Sequence, residues 1–250
     1  MNCRLPVLCL VLSHCAPALA DNQFTAGASY WGYDAGGTVR YQSNDPADAI
    51  DINDDLGYGD GSRGSYYLQL EHMVPLLPNA RLSRIGIDES ASGRLARSVD
   101  FGGSNFIVGE DIDSTVTYQQ TDVILYYSVF DTAASIDLGL DAKYIDSEVT
   151  LDGAISGRQS ASATGWIPAL YARVGIELPL TGLGIDAAGS YAGYQGDRLY
   201  ELNLRASYNS MRHVGVELGY RRVQLDLEDF DGTWADIAFD GPYAGMFLVF

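Results

Sequence analysis

Beyond residue 15 this chain has no cysteine; Cys3, Cys9 and Cys15 are the only ones in its 250 residues. Once the amino-terminal segment is removed, that excludes disulfides, thiolate metal sites and cysteine nucleophiles. Long apolar runs are also missing. No later stretch approaches the roughly eighteen apolar residues of a membrane-spanning helix. Basic residues are scarce: 15 Lys and Arg face 33 Asp and Glu, for a formal net charge of −18. Phosphate backbones require a basic footprint, so nucleic acid is excluded as a partner. Histidine is rarer still, with only His72 and His213 after the amino-terminal segment. What remains is rich in Gly (28) and Tyr (17) with few lysines, a mix that suits twisted antiparallel strands.

Residues 1–20 read as a secretory signal peptide. Arg4 is the charged n-region, Leu5 to Leu12 the short apolar core, and Ala18-Leu19-Ala20 the small-residue cleavage site before Asp21. A lipoprotein would need lipidation at Cys15, but His14 stands where a small residue is usual. Residues 21–250 then form one domain.

The stretch from Pro242 to Phe250 alternates with a period of two. Phe250, Leu248, Met246 and Ala244 fall on one face, and Val249, Phe247, Gly245 and Tyr243 on the other. An apolar strand at a sheet edge needs a partner, and closure onto the first strand supplies one. Gln23 to Tyr33 is that first strand, with Phe24, Ala26, Ala28 and Tyr30 alternating against Gln23, Thr25, Gly27 and Ser29. Further alternating spans are predicted over Ser65–Val74, Ala80–Glu89, Tyr118–Phe130, Ser135–Leu151, Ala163–Leu178, Leu183–Tyr194, Arg198–Tyr208 and from Val214 onward. Arg81 and Arg84 fall on opposite faces and obscure the phase of the Ala80 span. A phase slip at Arg221-Arg222 predicts a bulge or an exit from the membrane.

One such strand suits a soluble sandwich equally well. The connections separate the two readings. Alternate turns are short (Pro75–Asn79, Asp131–Ala134, Pro179–Gly182, Asn209–Arg212), while those at the other end read mostly as long loops, over 34–64, 91–117, 152–162 and 228–241, with only the Gln195 turn short. Short periplasmic turns and long external loops mark an outer-membrane barrel. The predicted fold is therefore all-β, an up-and-down antiparallel transmembrane barrel of ten strands, with eight the alternative count.

At this point the chain resembles a family of small, functionally uncharacterised outer-membrane β-barrel proteins from Gram-negative bacteria. The resemblance rests on Asp54-Asp55-Leu56-Gly57, the Leu70–Leu82 run, Leu125–Tyr127, Asp137–Asp146, Pro179–Leu183, Gly219–Arg222 and Asp240–Gly245. It implies the fold and a place in the cell outer membrane, and it brings no catalytic residues. Phe250 resembles the terminal signal read by the outer-membrane assembly machinery.

The inward faces carry Glu71, Asp122, Asp137, Asp141, Lys143, Arg173, Glu177, Asp186, Glu201, Arg205, Glu217 and Arg221. They form either a charged lumen that selects small solutes or ions, or a paired polar core that fills a narrow barrel. The size of the barrel favours the second. The acidic segment Asp51-x-Asn53-Asp54-Asp55 opens like an EF-hand, but Leu56 replaces the glycine and Ser62 the final glutamate. Weak Ca²⁺ or Mg²⁺ bridging between acidic external loops and lipopolysaccharide is the binding reading; a solvated acidic surface is the plain one. No cofactor is expected. Hydrolytic barrels commonly need a histidine base, and both candidates fall at the short-turn end, so no enzyme is expected. Lipid modification is the enzymatic alternative. Tyr66, Tyr144, Trp166, Tyr208 and Tyr220 are candidates for interfacial girdles.

Overall fold

The computed structural model describes residues 22–250 apart from 75, 212 and 231, with backbone only at 210 and 211. The expected signal peptide and its cleavage site lie outside the described residues. Among the described residues thirteen strands are formed: β1 (Gln23–Tyr41), β2 (Ile50–Asp51), β3 (Asp60–Glu71), β4 (Asn79–Arg94), β5 (Val99–Phe101), β6 (Ser104–Phe106), β7 (Asp111–Asp131), β8 (Ala134–Gly153), β9 (Gly157–Leu178), β10 (Leu183–Tyr194), β11 (Asp197–Met211), β12 (Val214–Phe230) and β13 (Thr233–Val249). Ten of them form a closed antiparallel barrel. The order around it is β13-β12-β11-β10-β9-β8-β7-β4-β3-β1, and β13 pairs back onto β1 from Thr25↔Val249 to Tyr41↔Thr233. Closure removes both sheet edges, which is why the carboxyl-terminal strand tolerates apolar residues on both faces.

Alternation sorts the faces. Tyr243 and Phe247 are buried inside, while Met246, Leu248 and Phe250 are exposed outside. Leu125, Leu138, Leu140, Leu170, Val174, Ile185, Leu204 and Leu218 are likewise exposed around the ring. A continuous exposed band of this kind is unstable in water and suits the hydrocarbon of a bilayer. Tyr30, Tyr66, Trp166 and Tyr220 are exposed along its outer rim, and Tyr144 packs on Trp166 with ring centroids 5.2 Å apart. Tyr208 is exposed at the opposite, short-turn end. The two arginines of β4 resolve simply. Arg81 points inward over the Tyr67 ring (4.0 Å), and Arg84 points outward, donating to Gln119 at 3.2 Å and Thr121 at 3.4 Å.

The long-loop expectation needs correction. Most of 91–117, 152–162 and 228–241 and both ends of 34–64 are strand, because the barrel wall continues well beyond the apolar band. Outside the bilayer the outward side chains meet water and become Asp, Ser, Thr and Gly, so composition there imitates a loop. The inward residues Tyr33, Val39, Ile87, Ile112, Leu151 and Phe239 stay buried. Only 42–59 and 95–110 leave the wall. The second holds the β5–β6 hairpin, which folds in over the mouth. The predicted slip at Arg221-Arg222 is an exit from the membrane and not a bulge. Register runs unbroken through Arg221↔Gly241 and Arg222↔Asp240, and the irregularities lie at Tyr208/Met211 and Leu227/Phe230.

The hairpin between β10 and β11 is the short exception at the extended end. Gln195 and Gly196 both take positive φ (52° and 109°), the two-residue turn whose twist matches the flanking strands.

Candidate functional site

Three layers succeed one another along the lumen. At the short-turn end lies an open polar vestibule of about 820 Å³, lined by Gln23, Gln69, Glu71, His72, Glu177 and Asn209 among others. Glu71 accepts from Tyr126 (2.9 Å) and Gln69 (2.9 Å). Glu177 is exposed at the vestibule and makes no ion pair among the described residues. It therefore stands apart from the predicted network.

The middle layer gathers the remaining charges. Lys143, the sequence's single lysine, is 1% exposed. Its Nζ reaches Asp141 at 2.8 Å, Glu201 at 3.0 Å and Asp122 at 3.1 Å. Gln120 donates to both oxygens of Asp122 (2.9 Å each) and to Glu201 (3.0 Å), and itself accepts from Tyr118. Arg221 approaches the other Glu201 oxygen at 3.5 Å and sits 5.5 Å from the centroids of Trp31 and Tyr243. Arg205 grips Asp186 with two donors, Nε at 2.8 Å and Nη2 at 3.1 Å, and reaches Glu217 at 3.4 Å. Tyr67 also donates to Glu217, at 3.1 Å. Arg173 lies 3.0 Å from Asp137 in an ion contact whose geometry is too bent for a hydrogen bond. A chamber of about 60 Å³ separates these groups, bordered by Asp141 and Arg221.

Strand register explains the pairing. Asp122↔Lys143, Asp137↔Arg173 and Asp186↔Arg205 are directly opposed neighbours on adjacent strands. Opposite charges at such positions attract, and the low dielectric of the lumen strengthens that attraction. The residues that the sequence reading left out are Arg81, Tyr67, Gln120 and Tyr118. The inward phase of their strands marks all but Arg81, whose strand was ambiguous.

The outer layer is apolar. Trp31, Ile87, Phe101 and Phe106 are each no more than 1% exposed, with Ile50, Leu56, Val99 and Ile112 packed among them. The two segments that leave the wall close this layer and are tied together. Arg97 pairs with Asp55 at 3.1 Å and donates to the carbonyl oxygens of Ala47 (3.0 Å) and Ala49. Gly102 N donates to Tyr41 O at 3.1 Å, and Gln159 to Ser104 at 2.8 Å. The 50–58 turn seats between β1 and β4, pairing with β1 at Val39↔Ile50 and lying so close to β4 that a Cβ on Gly93 would stand 2.1 Å from the Asp55 carbonyl oxygen. Glu110 anchors the base of the hairpin to the β8–β9 turn, accepting from the Ser156 hydroxyl (2.5 Å), Ser156 N (2.8 Å) and Ile155 N (2.7 Å). The Ser156 hydroxyl first, then these backbone N–H groups and that of Ile107, hold its pKa down at about 2.

The acidic turn is wired internally. Asp51 accepts from Asn53 N and Asp54 N (2.9 Å each). Asn53 donates to Ala35 O (2.6 Å) and Tyr58 O (3.0 Å). Asp55 is buried on Arg97. Among the described residues no group of three or more His, Cys, Asp or Glu side chains is placed to hold a metal ion. His72 contacts Pro78 O at 3.1 Å within the β3–β4 turn, and His213 contacts Val249 O at 3.0 Å. Both sit at the short-turn end.

No family model and no curated protein matches the chain. Solved structures do match. The outer membrane protease OmpT from Escherichia coli is 10% identical with a TM-score of 0.56, over 91% of this chain and 97% of that one. The attachment invasion locus protein Ail of Yersinia pestis, in complex with the heparin analogue sucrose octasulfate, is 11% identical with a TM-score of 0.41, over 92% and 99%. The transport unit of the autotransporter AIDA-I from Escherichia coli is 10% identical with a TM-score of 0.41, over 96% and 93%. At these identities the likeness to OmpT speaks for the fold alone. With the closed ring and its exposed apolar band, the chain is a ten-stranded β-barrel of the outer-membrane type.

Proposed function

We propose that this protein is a non-catalytic outer-membrane barrel with a closed lumen, presenting its extended end at the cell surface. The observation that carries the reading is the succession of two unlike layers across one lumen. A hydrated ion entering from the vestibule meets the bridges of Lys143, Arg205 and Arg173, and displacing a buried charge partner costs about 3–5 kcal/mol. It then meets Trp31, Ile87, Phe101 and Phe106, where nothing replaces its hydration shell. The position of both histidines in short turns supports the absence of hydrolytic chemistry. Outward carboxylates on the extended wall are available for weak Ca²⁺ or Mg²⁺ bridging to lipopolysaccharide. Release of residues 1–20 and use of Phe250 by the assembly machinery belong to the same reading.

The test is conductance of the purified barrel in a planar bilayer. The expected trace is flat at all moderate voltages. Discrete steps would overturn closure and favour the narrow solute channel. A His72→Ala, His213→Ala double variant addresses the enzymatic alternative, because the lipid A and phospholipid composition of cells expressing it is expected to match that of cells with the parent protein.

A further inference from the structure

Among the described residues the wall of the extended end is interrupted at two places: β3 pairs with β4 only as far as Ser65↔Ile85, where the 50–58 turn packs against the rest of β4, and the second interruption lies beside β9. β9 pairs with β8 along its whole length, from Gly153↔Gly157 to Ala134↔Ile176, but with β10 only from Leu170 to Leu178. The β10–β11 hairpin turns early, at Gln195-Gly196, so among the described residues Gly157 to Ala169 has a strand partner on one side only. On the far side of the notch, β12 also outruns β11, whose pairing with it ends at Arg198↔Asp226. Two strands would ordinarily separate β9 from β12, so the notch is three sheet spacings wide, about 14 Å. Behind it lies an apolar cavity of about 90 Å³ bordered by Val149, Ala161, Leu225, Leu227, Phe230 and Ile237.

We infer that this notch is a docking site for an extended, basic polypeptide segment that adds to the free edge of β9. A row of unpaired backbone N–H and C=O groups is matched by one chemistry above others, another extended backbone. The cavity gives such a strand a place for about one apolar side chain, on the face that turns inward. Charge sets the sign of the partner. Asp146, Glu148 and Asp152 point outward on β8 beside the edge, and Asp226, Glu228 and Asp229 stand across the notch, against Arg158 and Arg198. The position of Pro168 supports the accessibility of the edge. Proline is tolerated where its missing N–H faces away from a pairing neighbour, and Ser162 and Thr164 share the parity of Pro168.

The inference rests on the external placement of this end, which a separate readout tests. A Ser160→Cys variant on intact cells is expected to react with a membrane-impermeant maleimide, since the chain beyond Cys15 has no other thiol. Docking itself is read on the purified barrel in lipid nanodiscs by titration with fluorescent octapeptides. An alternating Lys-Val peptide is expected to bind at least tenfold more tightly than an alternating Glu-Val peptide, and tenfold more tightly than a version N-methylated at every second amide. Ser162→Pro is expected to lose the Lys-Val peptide by a similar factor while keeping heat-modifiable migration on gels. Equal binding of the parent and N-methylated peptides would overturn the inference, whether or not the Ser162→Pro variant folds. Unchanged binding to a folded Ser162→Pro barrel would overturn it as well, as would failure to bind the Lys-Val peptide at all. Loss of labelling at Ser160→Cys with peptide binding intact would instead refute the orientation.

Discussion

At the scale of single residues, Lys143 is the member of the lumen with the most at stake. It is the centre of a cluster with Asp122, Asp141 and Glu201, and all four are largely withdrawn from solvent. Removing the cation leaves Asp122 and Asp141 with no counter-charge and Glu201 with Arg221 alone, whereas neutralising the two aspartates as well leaves groups that still hydrogen-bond and Glu201 still beside Arg221. Lys143→Ala is therefore expected to destabilise the barrel by about 3–5 kcal/mol in urea unfolding from detergent. Combining Lys143→Met with Asp122→Asn and Asp141→Asn, which leaves Glu201 to Arg221, is expected to recover most of that loss. A single variant as stable as the parent would mean that solvent already screens the cluster. Phe101 and Phe106 are sensitive for a different reason. Truncating either to Ala opens a cavity beneath the cap, at a cost of about 3–5 kcal/mol.

At the scale of elements, the cap is held by contacts that no local pattern encodes, and Glu110 gives the most testable of them. Its pKa in the folded protein, about 2, lies below the 4.5 of a free glutamate. A depressed carboxylate contributes stability that is present above the unfolded value and is lost as pH falls through the folded one. The hairpin of β5 and β6 should thus loosen between pH 4.5 and 2. Hydrogen exchange in residues 95–110, corrected for the intrinsic pH dependence, is expected to rise across that window. In Glu110→Gln it should already be elevated at neutral pH, with little further change on acidification; a flat corrected profile in the parent protein would refute the anchor. The same contrast between local and distant information explains what could be read from the chain in advance. The period of two placed Tyr243 and Phe247 inside and Leu248 outside, and it put Asp122, Asp141 and Lys143 on inward faces. It did not pair them, because pairing follows from register between strands. It also mistook much of the extended wall for loop, since the outward residues of β1, β8 and β13 beyond Tyr30, Tyr144 and Pro242 face water and carry the residues of loops. The inward-folded hairpin and its ties through Arg97 and Glu110 join segments far apart in sequence, so nothing at either position announces them.

At the scale of the whole molecule, the bilayer acts as the solvent for one half of the barrel and water for the other, and the strands pass from one to the other without a break. Leu140 and Leu170 are direct neighbours across β8 and β9, exposed at 64% and 67%, in the middle of the apolar band. Thr150 and Ser160 are neighbours on the same two strands in the extended wall. In a water-soluble barrel, replacing an exposed leucine with arginine changes stability by no more than about 0.5 kcal/mol. In a bilayer the same change near the midplane costs about 2–4 kcal/mol, and the cost falls towards zero outside the hydrocarbon. Leu140→Arg and Leu170→Arg are therefore expected to lower the stability of the barrel in lipid vesicles by that amount, and Ser160→Arg to leave it unchanged. The comparison uses one pair of strands, one side-chain chemistry and two depths, so fold and strand propensity cancel and the solvent boundary remains. If Ser160→Arg were as costly as Leu170→Arg, the boundary would lie further out than the rim of Tyr144 and Trp166. If neither substitution had any cost, the exposed leucines would face water, and placement of this barrel in a membrane would be wrong.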